Sequence, residues 1–93
     1  MIVGVLTVDL AIFEAQTLKD KRRVVQSLKQ RVQNAFNVSV AEVDHEDLVQ
    51  RCLLGMAMVC NESRPIHAQF DKIVEMCRGM HGVTLLKYDR EML

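Results

Sequence analysis

Half of the twelve lysines and arginines lie between positions 19 and 31, in a chain whose formal net charge is zero. Asp20 is the only acid in that interval. Clustered Lys and Arg heads near free helix amides are suited to binding phosphates and other anions. The sequence therefore predicts a surface that binds RNA or another anion, formed by Lys19, Lys21, Arg22, Arg23, Lys29 and Arg31.

These bases come at the start of a predicted helix, where they oppose helix formation. Thr17 is a suitable N-cap, and a cation in the first turn costs about 0.3–1 kcal/mol. Lys19 and Arg23 are like charges four residues apart, which adds a few tenths more. On a helical wheel both point to solvent, whereas Lys21 lies over the apolar sector. We expect Lys21 to extend its head past the helix end into water.

Acidic residues concentrate in a second segment, EVDHED, residues 42–47. His45 among these acids could support acid–base chemistry or hold a hard cation, but an ordinary polar turn between strands explains the same composition. The segment also offers partners to Arg22 or Lys29, which would leave a merely solvated basic face. No nucleophile–base pair or Gly-rich phosphate loop is visible, so the sequence predicts no catalytic residues and leans against an enzyme.

The cysteines Cys52, Cys60 and Cys77 lack the close paired spacing of zinc sites. They lie in apolar strand-like or helical sequence, which predicts reduced thiols in the core. A metal site could be drawn through Cys77, His81, His67 and Cys60, but these spacings do not favour it. The sequence predicts neither a metal nor a cofactor.

Six periodic segments position these side chains. Apolar alternation predicts strands at residues 2–12, 36–45, 52–60 and 83–88, and helical spacing predicts helices that begin after Thr17 and at Ser63. The length suits one domain, over residues 1–93. The order βαββαβ predicts an α+β fold, a ferredoxin-like α/β sandwich with a four-stranded antiparallel sheet and two helices on one face.

With both helices on one side, the other face of the sheet is uncovered in a monomer. A large exposed apolar patch usually marks an interface, although loops and termini could cover part of it. The alternative function is therefore a structural protein that self-associates as a homo-oligomer. The alternation predicts that this interface contains Val3, Val5, Ala41, Val43, Leu54, Met56 and Met58.

Several classes of protein do not fit the sequence. The predicted central strands lack the aromatic residues on which an RRM stacks bases. The segment DLAIFEAQ, residues 9–16, has neither the Gly and Arg of an acylphosphatase loop nor the paired cysteines of a metal-transport domain. No apolar run approaches the roughly 20 residues of a membrane helix, and the first segment lacks the basic lead of a signal peptide. We expect a cytoplasmic protein with no membrane partner.

The segments LKDKR, residues 18–22, and FNVSVAE, residues 36–42, resemble the YlxP-like family of small bacterial proteins, a domain of unknown function. The strands MIVGVL and LGMAMV also fit, and Thr17 stands where the family usually has Ser. The resemblance implies a ferredoxin-like sandwich and genes that are often close to those of translation and ribosome-maturation factors. It implies no catalytic residues. It favours RNA or a ribosome-associated partner as the target of the basic helix.

Overall fold

The computed structural model describes all 93 residues and contains four strands and two helices. The strands form one antiparallel sheet in the order β2-β3-β1-β4, and both helices contribute to a single core on one face of it. The predicted ferredoxin-like fold is therefore confirmed. In chain order the elements are β1 (Ile2–Ala11), α1 (Leu18–Ala35), β2 (Ser39–Asp44), β3 (Arg51–Cys60), α2 (Ser63–Gly79) and β4 (Thr84–Met92).

The central strands β1 and β3 pair without interruption, from Ile2 opposite Cys60 to Ala11 opposite Arg51. β1 pairs on its other side with β4, which continues to Met92 instead of ending at residue 88 as predicted. The extra residues are mostly charged. An edge strand needs only backbone hydrogen bonds to its neighbour and one buried side, so apolar alternation fades there before pairing ends.

The register decides which side chains lie beneath the helices. Leu6 of β1 stands opposite Met56 of β3, and both are almost completely buried. Residues directly opposite each other in an antiparallel pair share a face, so alternate residues of the two strands form the floor of the core. This floor includes Leu54 and Met58, of which at most 4% is exposed.

The prediction that Leu54, Met56 and Met58 line the open face is therefore wrong. Alternation within one strand separates its residues into two sets, but it does not tell which set matches a given set on a neighbouring strand. The register supplies that information. Val3 and Val5 face away from the helices. Their partners on β3 do so as well, because they alternate along that strand with the buried residues.

Both helices begin close to where the sequence predicts. Thr17 caps α1, since its Oγ1 accepts a hydrogen bond from the Asp20 amide at 3.1 Å. The Asp20 carboxylate in turn accepts from the Gln16 amide at 3.1 Å, which closes a reciprocal cap. α2 begins at Ser63, but Glu62 at its N-cap position makes no side-chain hydrogen bond to the helix.

A glycine allows α2 to lie close to β1. A Cβ at position 4 would collide with the side chain of Ile66, and it would also crowd Phe70. Both of those α2 side chains are fully buried, and burying one such side chain stabilises a fold by about 1.5–3 kcal/mol. Gly82 has a different role, because its φ of 82° makes the turn from α2 into β4.

Candidate anion-binding surface

Five bases of α1 lie on its outer surface, with four of them exposed and Lys29 half-buried. None of the five takes part in an ion pair within the chain. No acidic residue occurs between Asp20 and Glu42, so the rest of the helix offers them no partner. The alternative in which Arg22 or Lys29 pairs with the acidic turn is not what the structure contains. The term basic face of α1 refers below to Lys19, Arg22, Arg23, Lys29 and Arg31.

Lys21 does not belong to this face, since only 1% of its surface is exposed. Its Nζ lies 2.7 Å from Oε2 of Glu42 on β2 and donates to the backbone carbonyl of His45 at 2.7 Å. A second carbonyl, that of Glu46, lies at 3.4 Å. The expected extension of Lys21 into water is therefore wrong. A carboxylate and two carbonyls beneath the helix supply the partners that a buried ammonium requires.

These contacts join the start of α1 to the acidic turn between β2 and β3. His45 is the only residue other than glycine with a positive φ, at 65°, a conformation uncommon for such residues. Its amide donates to Oδ1 of Asp44 at 2.8 Å. The turn is thus shaped by local bonds and by Lys21, and the side chains of Asp44, Glu46 and Asp47 remain on the surface.

The cap of α1 engages the amide of Asp20, which donates to Oγ1 of Thr17, and the amide of Gln16 just before the helix. Asp20 accepts the Gln16 amide, and this hydrogen bond is the main reason that the pKa of its carboxyl is lowered. Desolvation opposes this effect, and the hydrogen bonds of Thr17 and the nearby Arg23 guanidinium lower the pKa further. With Lys21 buried, the remaining positive charge of α1 lies along its outer side, from Lys19 in the first turn to Arg31.

The structure brings together no group of three or more His, Cys, Asp or Glu side chains that could hold a metal ion. The cysteines are free, and Cys52 and Cys77 are fully buried as predicted, whereas Cys60 is half-buried. Burial raises the pKa of Cys52 to about 12, helped by the neighbouring Glu42 carboxylate, and that of Cys77 to about 11. Both thiols are therefore protonated at neutral pH and unsuited to nucleophilic chemistry.

The face of the sheet away from the helices contains an ion pair that the sequence did not predict. Nη2 of Arg51 lies 2.9 and 3.0 Å from the two carboxylate oxygens of Asp9, whose side chain is 8% exposed. The two residues are 42 positions apart in sequence. A lone acid inside the apolar first strand is the signal that could have revealed it, since such a carboxylate needs a partner.

No helix is both long enough and apolar enough to cross a membrane. Among solved structures, the fold is similar to that of the de novo designed protein Foldit4, with a TM-score of 0.60 and 12% sequence identity over 100% of this chain and 97% of that one. At this identity the likeness concerns the fold alone.

Two sequence comparisons identify the family. The chain is 32% identical to the uncharacterized protein YlxP of Bacillus subtilis (strain 168) over 72 residues, which cover 77% of this chain and 78% of that protein. Residues 3–90 match the model of a family described as "Protein of unknown function (DUF503)". The resemblance to the YlxP-like family is thus confirmed, and the chain belongs to the DUF503 family.

Proposed function

We propose that this protein is a non-catalytic binding module whose basic face of α1 binds the phosphate backbone of an RNA associated with the ribosome or with translation. The observation that carries the proposal is the set of five cationic side chains on one helix without an ion-pair partner in the chain. Their mutual repulsion is unfavourable for the isolated protein, and a polyanion would relieve it.

The dimensions of the face suit a nucleic acid backbone. Lys19 and Arg31 are separated by about 18 Å along the helix axis, at 1.5 Å per residue. That length covers several phosphates of one strand, which in a DNA duplex follow one another about every 3.4 Å. Salt-dependent contacts of this kind fix position on the duplex and carry little sequence information.

The uncharged side chains of α1 favour RNA among possible polyanions. Gln26, Gln30, Gln33 and Asn34 are exposed on the same helix, between and beyond the bases. Their amides can donate to phosphates and can both donate to and accept from 2′-hydroxyl groups, which line the accessible groove of an RNA helix. The notable absence of aromatic residues on α1 fits backbone recognition and does not favour stacking on unpaired bases.

The test measures binding of the purified protein to a structured ribosomal RNA fragment at low and at moderate salt. We expect affinity to fall steeply with salt, and the double substitution Lys19→Glu and Arg23→Glu to weaken binding by at least about tenfold and to reduce the salt slope by about 2. The matched control is Arg64→Glu with Lys72→Glu, which changes the net charge equally on exposed positions of α2.

Each other outcome has a definite meaning. Equal losses in both double variants would assign the binding to net charge and contradict a role for α1. A complete lack of RNA binding at low salt would contradict the proposal, and the basic face would then be tested as a docking site for an acidic protein. Circular dichroism of each variant checks that the fold is retained.

A further inference from the structure

The side of the sheet away from the helices has no cover within the chain. Its residues alternate with those of the core on all four strands. The apolar part, called the apolar strip below, occupies β2 and β3 and the first half of β1. It consists of Val3, Val5, Ala41, Val43, Gly55, Ala57 and Val59.

Two valines of the strip have large exposed fractions, 53% for Val43 and 59% for Val59. Val43 lies at an irregularity in the β2–β3 pairing, and its methyl groups cover the position where Gly55 lacks a side chain, with Cγ1 only 3.0 Å from where a Cβ would be. The neighbouring side chains of Ala41 and Ala57 are small. The strip is therefore a low surface without large projections, which a second sheet can approach to the usual spacing of about 10 Å.

The remainder of the open face is polar and carries both signs of charge. Asp9 and Arg51 form the close ion pair described above. In the β1–β4 register, Lys87 stands opposite Asp9, Asp89 opposite Thr7 and Glu91 opposite Val5, so the face carries both signs of charge with acids in excess. A shallow cavity of about 430 Å³ lies among them. An apolar area beside charged and polar residues is the usual composition of a protein interface.

The presence of both signs of charge on one face indicates which partner fits. The basic face of α1 carries one sign of charge, and its complement must be a different molecule. The open face carries both signs beside an apolar strip, so two copies related by a two-fold axis can be complementary to each other. No foreign charge is required.

The available area is sufficient for a dimer. The strands contain 10, 6, 10 and 9 residues. At about 3.3 Å per residue and about 4.8 Å between strands, they present roughly 550 Å² per copy. Two faces in complete contact would therefore bury about 1,100 Å², above the roughly 1,000 Å² that a biological interface should exceed.

We propose that the occupant of the open face is a second copy of this chain, packed sheet against sheet around a two-fold axis. The helices of both copies then lie on the outside. The inference does not depend on RNA binding, because the basic face of α1 is on the opposite layer. If both proposals hold, one dimer presents two basic faces, directed away from each other.

Sedimentation equilibrium over a range of concentrations tests this proposal. We expect the wild-type protein to dimerise, and Val59→Asp and Ala41→Asp each to weaken dimerisation at least about tenfold, because each places an unpaired carboxylate in the apolar strip. Both positions are exposed in the monomer, so the fold should tolerate the changes. Ala68→Asp, at an exposed position of α2, is the matched control and should dimerise like the wild type.

A wild-type protein that stays monomeric at about 1 mM would overturn the inference, since even a weak specific dimer would form there. Dimerisation that persists in both folded strip variants would also overturn it, by locating the interface elsewhere. A stable complex formed only with a foreign protein on this face would do the same. RNA binding by a strictly monomeric protein would contradict the dimer proposal and leave the proposed RNA-binding function unaffected.

Discussion

The two helices cover the same sheet with nearly equal length, 18 residues in α1 and 17 in α2, yet they treat charge differently. α1 has six bases and one acid, and the acid serves as part of the cap. α2 has three bases and two acids. Glu75 pairs with Arg78 within α2 at 2.6 Å, and Asp71 pairs with Arg90 of β4 at 2.7 Å.

The comparison separates two uses of a polar helix surface. The acids of α2 are interspersed with bases and paired nearby, so its outer surface needs only water. The single internal ion pair of α1 involves Lys21 and is buried on the inner side. The other bases of α1 repel one another and form no ion pair within 4 Å, although Arg23 lies near enough to Asp20 to lower the pKa of its carboxyl. This difference in charge supports the proposal that the outer side of α1 binds a partner.

The largest expected effect concerns the one base of α1 that serves the fold. Lys21→Met keeps the side-chain length but leaves the Glu42 carboxylate and the turn carbonyls without their cation. Breaking one partner out of a buried pair costs about 3–5 kcal/mol, and we expect a loss near the lower figure because Glu42 is partly exposed. Urea denaturation measures it. Lys19→Met should change stability by less than about 0.5 kcal/mol, and similar losses in the two variants would contradict the division of roles.

The close approach of α2 to β1 at Gly4 gives the second-largest expected loss of stability. Gly4→Ala introduces a methyl group where Ile66 already lies, and overpacking of this kind costs about 1–3 kcal/mol. Gly79→Ala is the control, because a Cβ at the end of α2 meets nothing within 4 Å. It should leave stability unchanged or raise it slightly. Equal unfolding midpoints for wild type and Gly4→Ala would show that α2 does not depend on this close approach.

The caps of the helices differ, and this difference should be measurable. Thr17→Ala removes the hydroxyl that accepts the Asp20 amide, which we expect to cost about 1 kcal/mol. Glu62→Ala, at the corresponding position of α2, should cost little because no side-chain cap bond exists there. Thermal unfolding of the two variants compares them directly. A greater loss of stability from Glu62→Ala than from Thr17→Ala would contradict the finding that only α1 has a side-chain cap.

The smallest effect depends on pH. The pKa of Asp20 is lowered in the folded protein, chiefly by the Gln16 amide, so its ionised form stabilises the fold above the unfolded-state pKa near 3.8. This contribution is lost as the pH falls through the lower, folded-state pKa. Asp20→Asn should therefore be less stable than the wild type at neutral pH, and the difference should vanish in strong acid. A difference independent of pH would assign the effect to packing.

Much of the fold could be predicted because its signals are local. Thr17 and the apolar spacing after it mark α1, and Ser63 with Pro65 marks α2. The errors concern partners that are distant in sequence. The wheel placed Lys21 over the apolar sector, but its acceptors belong to residues 42–46, more than 20 positions away. Without them, water was the only partner that could be assigned to its ammonium.

The candidate interface shows the same division between local and distant information. The alternation along β3 shows which of its residues share a face. Which of the two faces is the open one depends on the pairing of Val5 with Ala57, 52 positions apart in sequence. The ion pair of Asp9 and Arg51 is likewise created by register. Residues on the outer side of α1 could be predicted because the period of the helix alone determines which of them face water.

The position of β1 between β3 and β4 also has a consequence for the time course of folding. Gly4 is paired with Met92, so the sheet is completed only when segments almost the whole chain apart meet. Contacts of such long sequence separation slow folding. During synthesis, β1 retains one unpaired edge until Thr84–Met92 has emerged, and an open edge can pair with other chains. A copy in which β1 has already paired with β3 therefore keeps an open edge on β1 until β4 joins the sheet.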